Sequence, residues 1–331
     1  MDTSSSLPDR GHFSDAFRER IGNELRPLFD EARSFTSGGG HQIDIQLRDN
    51  CIHFYYRGGK ILEIKPRSYA FDQFYFYRPT GKERNYPKTY VEKIAKGKGL
   101  DARSPRYPVP GEEEAKRIFD ELTQKQGELL GLLHKKEYHT YFDRASREMD
   151  VWLACNPKPE REDQHLIALA NRAFSEENDF AVIDVEYGVS PKMPYRKLGF
   201  TKQCRFDLVA VDRTGQLYVI ELKQNLAADR PDSGTDIKAH RQDFNQTLQR
   251  DDDLLFPAEM ARVVERKKEM GLLADDVTVN RWEKPRFCAA FSGDEAEKAA
   301  FRAQCASMNA PLLHVNKDYK IARPERVAEK C

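Results

Sequence analysis

Apolar positions along this chain recur with two different periods. From Arg205 to Lys223 (RFDLVAVDRTGQLYVIELK), Phe206, Leu208 and Ala210 alternate with Asp207, Val209 and Val211, the period-2 pattern of a strand. Asp212-Arg213-Thr214-Gly215 supplies turn residues, and Leu217 to Leu222 resumes as a second apolar run, so the stretch predicts a hairpin with both strands buried. A second β-rich region lies at residues 41–77. HQIDIQL, CIHFYYR and KILEIK are separated by Arg48-Asp49-Asn50 and Gly58-Gly59, which predicts a small antiparallel module. The helical period takes over in Glu112–Lys136, where Ile118, Phe119, Leu122, Leu129, Leu130, Leu132 and Leu133 form one stripe. Beyond the break at Asn156-Pro157-Lys158-Pro159 the pattern predicts a helix over 161–174, with acids in its first turn, and a strand over 180–189. The hairpin follows, then a helix over 237–250, a strand over 286–292, a helix over 294–305 and a strand over 311–315.

These elements predict a mixed fold, α/β or α+β, in two domains. Residues 1–40 read as a partly disordered lead, 41–155 as a β-rich module with its helix at 112–136, and 156–331 as a second domain. Lys82–Pro110, rich in Lys, Gly and Pro, reads as a long loop. At 331 residues the chain is long enough for two cores.

Composition narrows the class. No apolar run approaches the roughly 18 residues of a membrane span. The opening MDTSSSLPDRGHFSD lacks an apolar core, so no secretory signal is expected. Six scattered cysteines without a CxxC pair suit a reducing cytoplasm. Eight widely spaced histidines show no HxH or HExxH grouping, which argues against a histidine-based metal site. A formal net charge of zero excludes a globally basic nucleic-acid binder, so any phosphate-binding surface has to be local. One local surplus exists. Cys51–Pro110 carries thirteen Lys and Arg against five Asp and Glu, with twelve Phe and Tyr interleaved. Two roles fit that pattern: an aromatic core with a solvated basic rim, or a platform for nucleic acid or a partner, including a second copy of the chain.

The candidate chemistry sits in the hairpin. Glu221 and Lys223, two apart on a strand, share one side, and Asp207 lies on the neighbouring strand. Two acids and a lysine are costly to bury without partners, and a hard divalent cation would relieve the acids. A buried Lys223 salt bridge to one acid, with the other acid solvated at a strand end, is the plainer alternative.

Asp, thirteen residues, then Glu-x-Lys across a hairpin resembles the PD-(D/E)XK nuclease superfamily, and the likeness covers roughly Pro159 to the C-terminus. The order helix, three strands, helix, strand agrees with that superfamily's restriction-endonuclease-like αβββαβ core, with one late helix–strand unit appended. The resemblance implies a nuclease acting on DNA phosphodiesters with Mg²⁺, for which Mn²⁺ can substitute, in restriction, defence or repair. It implies Asp207, Glu221 and the carbonyl of Leu222 as metal ligands, and Lys223 as the residue that orients or deprotonates the attacking water. A further carboxylate often comes from the first helix or strand, which here means Glu162 or Glu186. Gln242 resembles the Gln of the Gln-x-x-x-Tyr motif of recombination-type exonucleases, although Gln246 stands where Tyr would. His240, on the same helix, is a candidate phosphate contact. Asp49, Glu63 and Lys65 repeat the spacing in the N-terminal module, but Asp49 lies in a turn and Pro66 follows Lys65, so that match reads as chance. A silent binding module on the same fold and an RNA-directed nuclease remain as competing readings.

Overall fold

The computed structural model describes residues 10–71, 88–97, 111–155, 157–189, 203–225, 236–293, 295–307 and 310–323. The chain forms two compact units that are not consecutive in sequence. One comprises Glu19–Ile43 and His53–Lys158; the other takes Met1–Arg18, Asp44–Ile52 and Pro159–Cys331.

Helices α1 (Asp15–Gly22) and α2 (Arg26–Ser34) occupy part of the stretch expected to be a lead. Strands β1 (Ile43–Arg48), β2 (Cys51–Tyr56), β3 (Gly59–Lys65) and β4 (Ser68–Ala70) then form a sheet in the order β1-β2-β3-β4. Its first two connections are two-residue turns. Asn50 lies at φ 45° in one, and Arg57 and Gly58 lie at 49° and 76° in the other, the left-handed values that tight hairpins need. Helix α3 (Lys88–Ala95) interrupts the expected loop at Lys82–Pro110, and the rest of that stretch lies outside the described residues. Helices α4 (Glu112–His134) and α5 (Tyr138–Cys155) complete this part of the chain. Phe54, Tyr55 and Tyr56 are buried, with Phe54 against Phe29 and Phe142. The Tyr141 hydroxyl donates to the Ile61 carbonyl at 2.6 Å. Among the described residues, these β2 aromatics therefore act as core and not as an exposed stacking platform.

The C-terminal sheet is built by β5 (Phe180–Val189), β6 (Cys204–Asp212), β7 (Leu217–Lys223), β8 (Arg286–Phe291), β9 (Leu312–Val315) and β10 (Ile321–Ala322), in the order β10-β9-β8-β7-β6-β5. Strands β5, β6 and β7 are antiparallel, whereas β7, β8 and β9 are parallel. The parallel pairs need crossovers, supplied by α7 (Ile237–Gln246) with α8 (Leu255–Glu269), and by α9 (Glu295–Ser307). Helix α6 (Pro159–Ala170) precedes the sheet and places Ile167 and Ala168 against Phe180, Leu208, Ile220 and Leu222. Phe244 of α7 packs against Phe206 and Phe287. Every residue of β7 is buried, as is usual for a central strand covered on both faces. That covering is what makes its two charged residues unusual. Helix α8 is not among the elements expected from the sequence. Its buried set includes Glu259 and Lys267, so its inward face is not uniformly apolar.

Candidate functional site

Strand register brings the two acids together. Leu208 pairs with Ile220 and Val209 with Val219, so the next opposed positions are Asp207 and Glu221. Lys223 follows two residues later on the same side. All three are buried, with exposures of 5%, 2% and 3%.

Each is held by specific contacts. Lys223 Nζ donates to Glu221 Oε1 at 2.6 Å. Gln164 Nε2 donates to Asp207 Oδ1 at 2.8 Å, and the Leu222 N–H donates to Asp207 Oδ2 at 2.9 Å. His240 Nε2 lies 3.1 Å from Glu221 Oε1. Glu221 Oε2 and Gln164 Oε1 are buried without a hydrogen-bond partner among the described residues, and so is His240 Nδ1.

The electrostatics follow from two acids sharing one lysine. Burial, then the Asp207 charge, pushes the Glu221 carboxyl well above the usual range, although Lys223 opposes this. Burial also raises Asp207, against the pull of Lys223 and the Leu222 N–H. Burial disfavours the Lys223 ammonium, but Glu221 and Asp207 outweigh it and hold its pKa above the ordinary value. Burial, then the Lys223 charge, lowers His240 to about 4, so its imidazole is neutral at pH 7.

Among the other sequence candidates, Glu162 lies half-buried on α6, and Asp163 beside it points to a different set of partners. Gln224 Nε2 and Ser292 Oγ donate to Asp163 Oδ2 at 2.8 and 2.7 Å. The α6 carboxylate that senses the trio is Glu160, raised by burial and then influenced by Lys223 and Asp207. Glu160 and Gln164 are one helical turn apart, and that i,i+4 spacing was the available signal for both. Glu186 stands opposite Asp207 across β5–β6, between the pairs Val185↔Leu208 and Tyr187↔Phe206. Its backbone is left-handed (φ 52°), and its carboxylate pairs with Arg161 at 2.7 Å and Arg205 at 3.1 Å. Gln242 is exposed on α7, two residues beyond His240, and has no described contact with the trio. Leu222 takes part through its backbone N–H. In the N-terminal module, Glu63 is taken up by Lys60 (2.6 Å), Lys65 (3.1 Å) and His53 (3.2 Å), an ion cluster in which two lysines oppose cation binding.

No family model, curated protein or solved structure matches the chain. The site is therefore judged on its own donor atoms. Asp207 and Glu221 offer two opposed carboxylates, Glu221 Oε2 and Gln164 Oε1 are buried without partners among the described residues, and a hard cation such as Mg²⁺ takes oxygen ligands of these kinds. An ordinary salt bridge accounts for less: Lys223 does pair with Glu221, but Asp207 is buried beside them and not solvated.

The loop after β8 closes over the Lys223 end. Ser292 N donates to the Lys223 carbonyl at 3.0 Å. A Cβ on Gly293 would lie 1.8 Å from the Gln224 carbonyl oxygen, so only glycine permits this approach.

Proposed function

We propose that this chain is a metal-dependent nuclease that hydrolyses DNA phosphodiester bonds at the Asp207–Glu221–Lys223 site. The observation that carries the reading is two buried carboxylates, Glu221 and Asp207, set against each other with no other donor at Glu221 Oε2 among the described residues, so that only a proton or a bound cation relieves their repulsion. Asp207, Glu221 and Gln164 would hold Mg²⁺ or Mn²⁺, which when bound supplies charge stabilisation at the phosphoryl group and a more acidic water. The protein's own groups do the rest. Gln164 and the Leu222 N–H fix the Asp207 carboxylate in one orientation. Lys223, kept protonated by the two acids, acts as a fixed cation toward the anionic phosphodiester and not as a base. The neutral His240 imidazole lies 3.1 Å from Glu221, where it would contact a phosphate oxygen.

Cleavage of supercoiled plasmid, labelled DNA single strands and RNA with Mg²⁺ or Mn²⁺ tests the reading, comparing wild type with Lys223→Ala and Asp207→Asn. Metal-dependent cutting lost in both variants is expected, with DNA cut faster than RNA. Cutting that survives both substitutions would place the active site elsewhere. No cutting together with no metal binding by calorimetry would leave a silent binding module.

A further inference from the structure

A second feature of the C-terminal unit lies apart from the trio. Trp282 is 85% exposed, whereas Trp152, the other tryptophan, is 4% exposed. An indole left almost wholly in water is costly, yet the loop that carries it is pinned. Asn280 N donates to the Gly215 carbonyl at 2.8 Å, and the Trp282 backbone N–H donates to Asn280 Oδ1 at 3.1 Å. Gln216 Nε2 donates to the Lys284 carbonyl at 2.9 Å, and Lys284 Nζ reaches Asp252 at 2.5 Å. The turn below fits only because Gly215, at φ 82°, has no Cβ; one would sit 2.9 Å from Asn280 N. The exposed ring is thus held by a braced support.

Directly beside it in sequence, Glu283 to Phe287 line a cavity of about 450 Å³ that is also bounded by α7. Its walls carry Arg241, Lys284 and Arg286, one acid (Glu283) and the amides of Asn245 and Gln249; Phe244 and Phe287 also line it but are buried against each other. Arginines bind phosphate and side-chain amides match the edges of bases, which leaves stacking to the exposed indole. Three cations against one acid give the cavity beside the Trp282 loop a positive balance that complements a phosphate backbone.

The cavity is also aligned with the trio. On the parallel β7–β8 pair, Arg286 lies opposite Tyr218 and Phe291 opposite Lys223. Five residues at about 3.3 Å each separate the two places by roughly 16 Å along the strands. Helix α7 touches both places, with His240 against Glu221 and Asn245 at the cavity about 7.5 Å further along the helix.

We propose that Trp282 and this cavity form a binding site for an unpaired nucleic-acid strand, one base stacking on the indole and a neighbouring nucleotide entering the cavity. Only an unpaired or extruded base offers a free face, because bases in a duplex are already stacked. The proposal deepens the nuclease reading, on which it rests for its choice of nucleic acid, by naming a single strand as the substrate form.

The test uses the full chain in EDTA, where no cutting occurs, and reads Trp282 emission during titration with a 12-nucleotide DNA single strand and with the matching duplex. Saturable quenching by the single strand, with weaker response to the duplex, is expected. Anisotropy of a labelled strand should show affinity reduced about 5- to 100-fold in Trp282→Ala, as for loss of one stacked base, and largely retained in Trp282→Phe. Arg286→Ala should flatten the salt dependence of binding. The indole is exposed, so these changes leave the fold intact. Unaltered emission with every strand, or equal affinity in Trp282→Ala, overturns the proposal and leaves Trp282 to a protein partner. Binding that persists in an Asp207→Asn protein unable to cut keeps this site separate from the trio. Trio-dependent cutting without any Trp282 response would retain the nuclease reading and discard this one.

Discussion

Replacing Glu221 by Gln and Lys223 by Met should change stability in opposite directions, because the trio holds two acids and one base. With all three ionised its charge is −1. Lys223→Met makes it −2 in a buried place, and removing one partner of a buried pair costs about 3–5 kcal/mol. For a domain of this size that corresponds to a loss of roughly 6–20 °C in Tm. Glu221→Gln makes the charge zero, leaves Lys223 with Asp207, and offers Asp207 an amide donor. Relief of an unsatisfied buried acceptor is worth about 1–3 kcal/mol, so this variant should melt higher than wild type in the metal-free state. The pH dependence has a definite sign. The folded Glu221 carboxyl is raised, so its protonated form is favoured in the native state. Its contribution is fully present below the unfolded pKa of about 4.3 and is lost as pH rises toward the folded value. The advantage of Glu221→Gln should therefore be small at pH 4 and grow toward pH 8. Calorimetric unfolding in EDTA at pH 4, 6 and 8 measures all of this. If Glu221→Gln were destabilised at pH 8 as strongly as Lys223→Met, Glu221 would be a satisfied ion-pair partner and the argument for a cation would fail.

Other substitutions probe separate contacts. Gln164→Leu should weaken Mg²⁺ or Mn²⁺ binding by calorimetry, whereas Gln242→Ala, on an exposed position, should leave affinity and Tm unchanged. Gly293→Ala forces a Cβ against the Gln224 backbone and should cost at least about 2 kcal/mol in urea unfolding. Burial alone would raise the Asp44 carboxyl, but its 2.6 Å bond to His165, with nearby Lys267 and Arg172, lowers it to about 2. At about 1.4 kcal/mol per pKa unit, Asp44→Asn should lose roughly 2.5 kcal/mol at pH 7. The deficit should shrink as pH falls from about 4 to 2, followed by acid unfolding.

Much of the C-terminal architecture was legible because local pattern and final burial agree there. The alternation in Phe206–Val211, the Asp212–Gly215 turn and the apolar run to Leu222 encode β6 and β7 in their own residues, and the spacing of Asp207 to Glu221 fixes which side chains oppose once the hairpin closes. That short-range determinism also made Lys223 legible, since side chains two apart on a strand must share a face. Contacts between residues far apart in sequence were decided only by tertiary structure. Gln164 is 43 residues from Asp207, and nothing in α6 marks it over Glu162 until the helix is docked and its rotation set. Glu186 passes as a site acid by position, but Arg161 and Arg205 and a left-handed backbone place it in an ion cluster. In α8 the apolar spacing Phe256, Met260, Val263 and Val264 was present but interleaved with Glu259 and Lys267, charges whose burial only the packed structure reveals. A side chain's strand or helix is chosen by its neighbours in sequence. Its partner is chosen by the packing of whole elements, and at this site the packing selected Gln164 and His240.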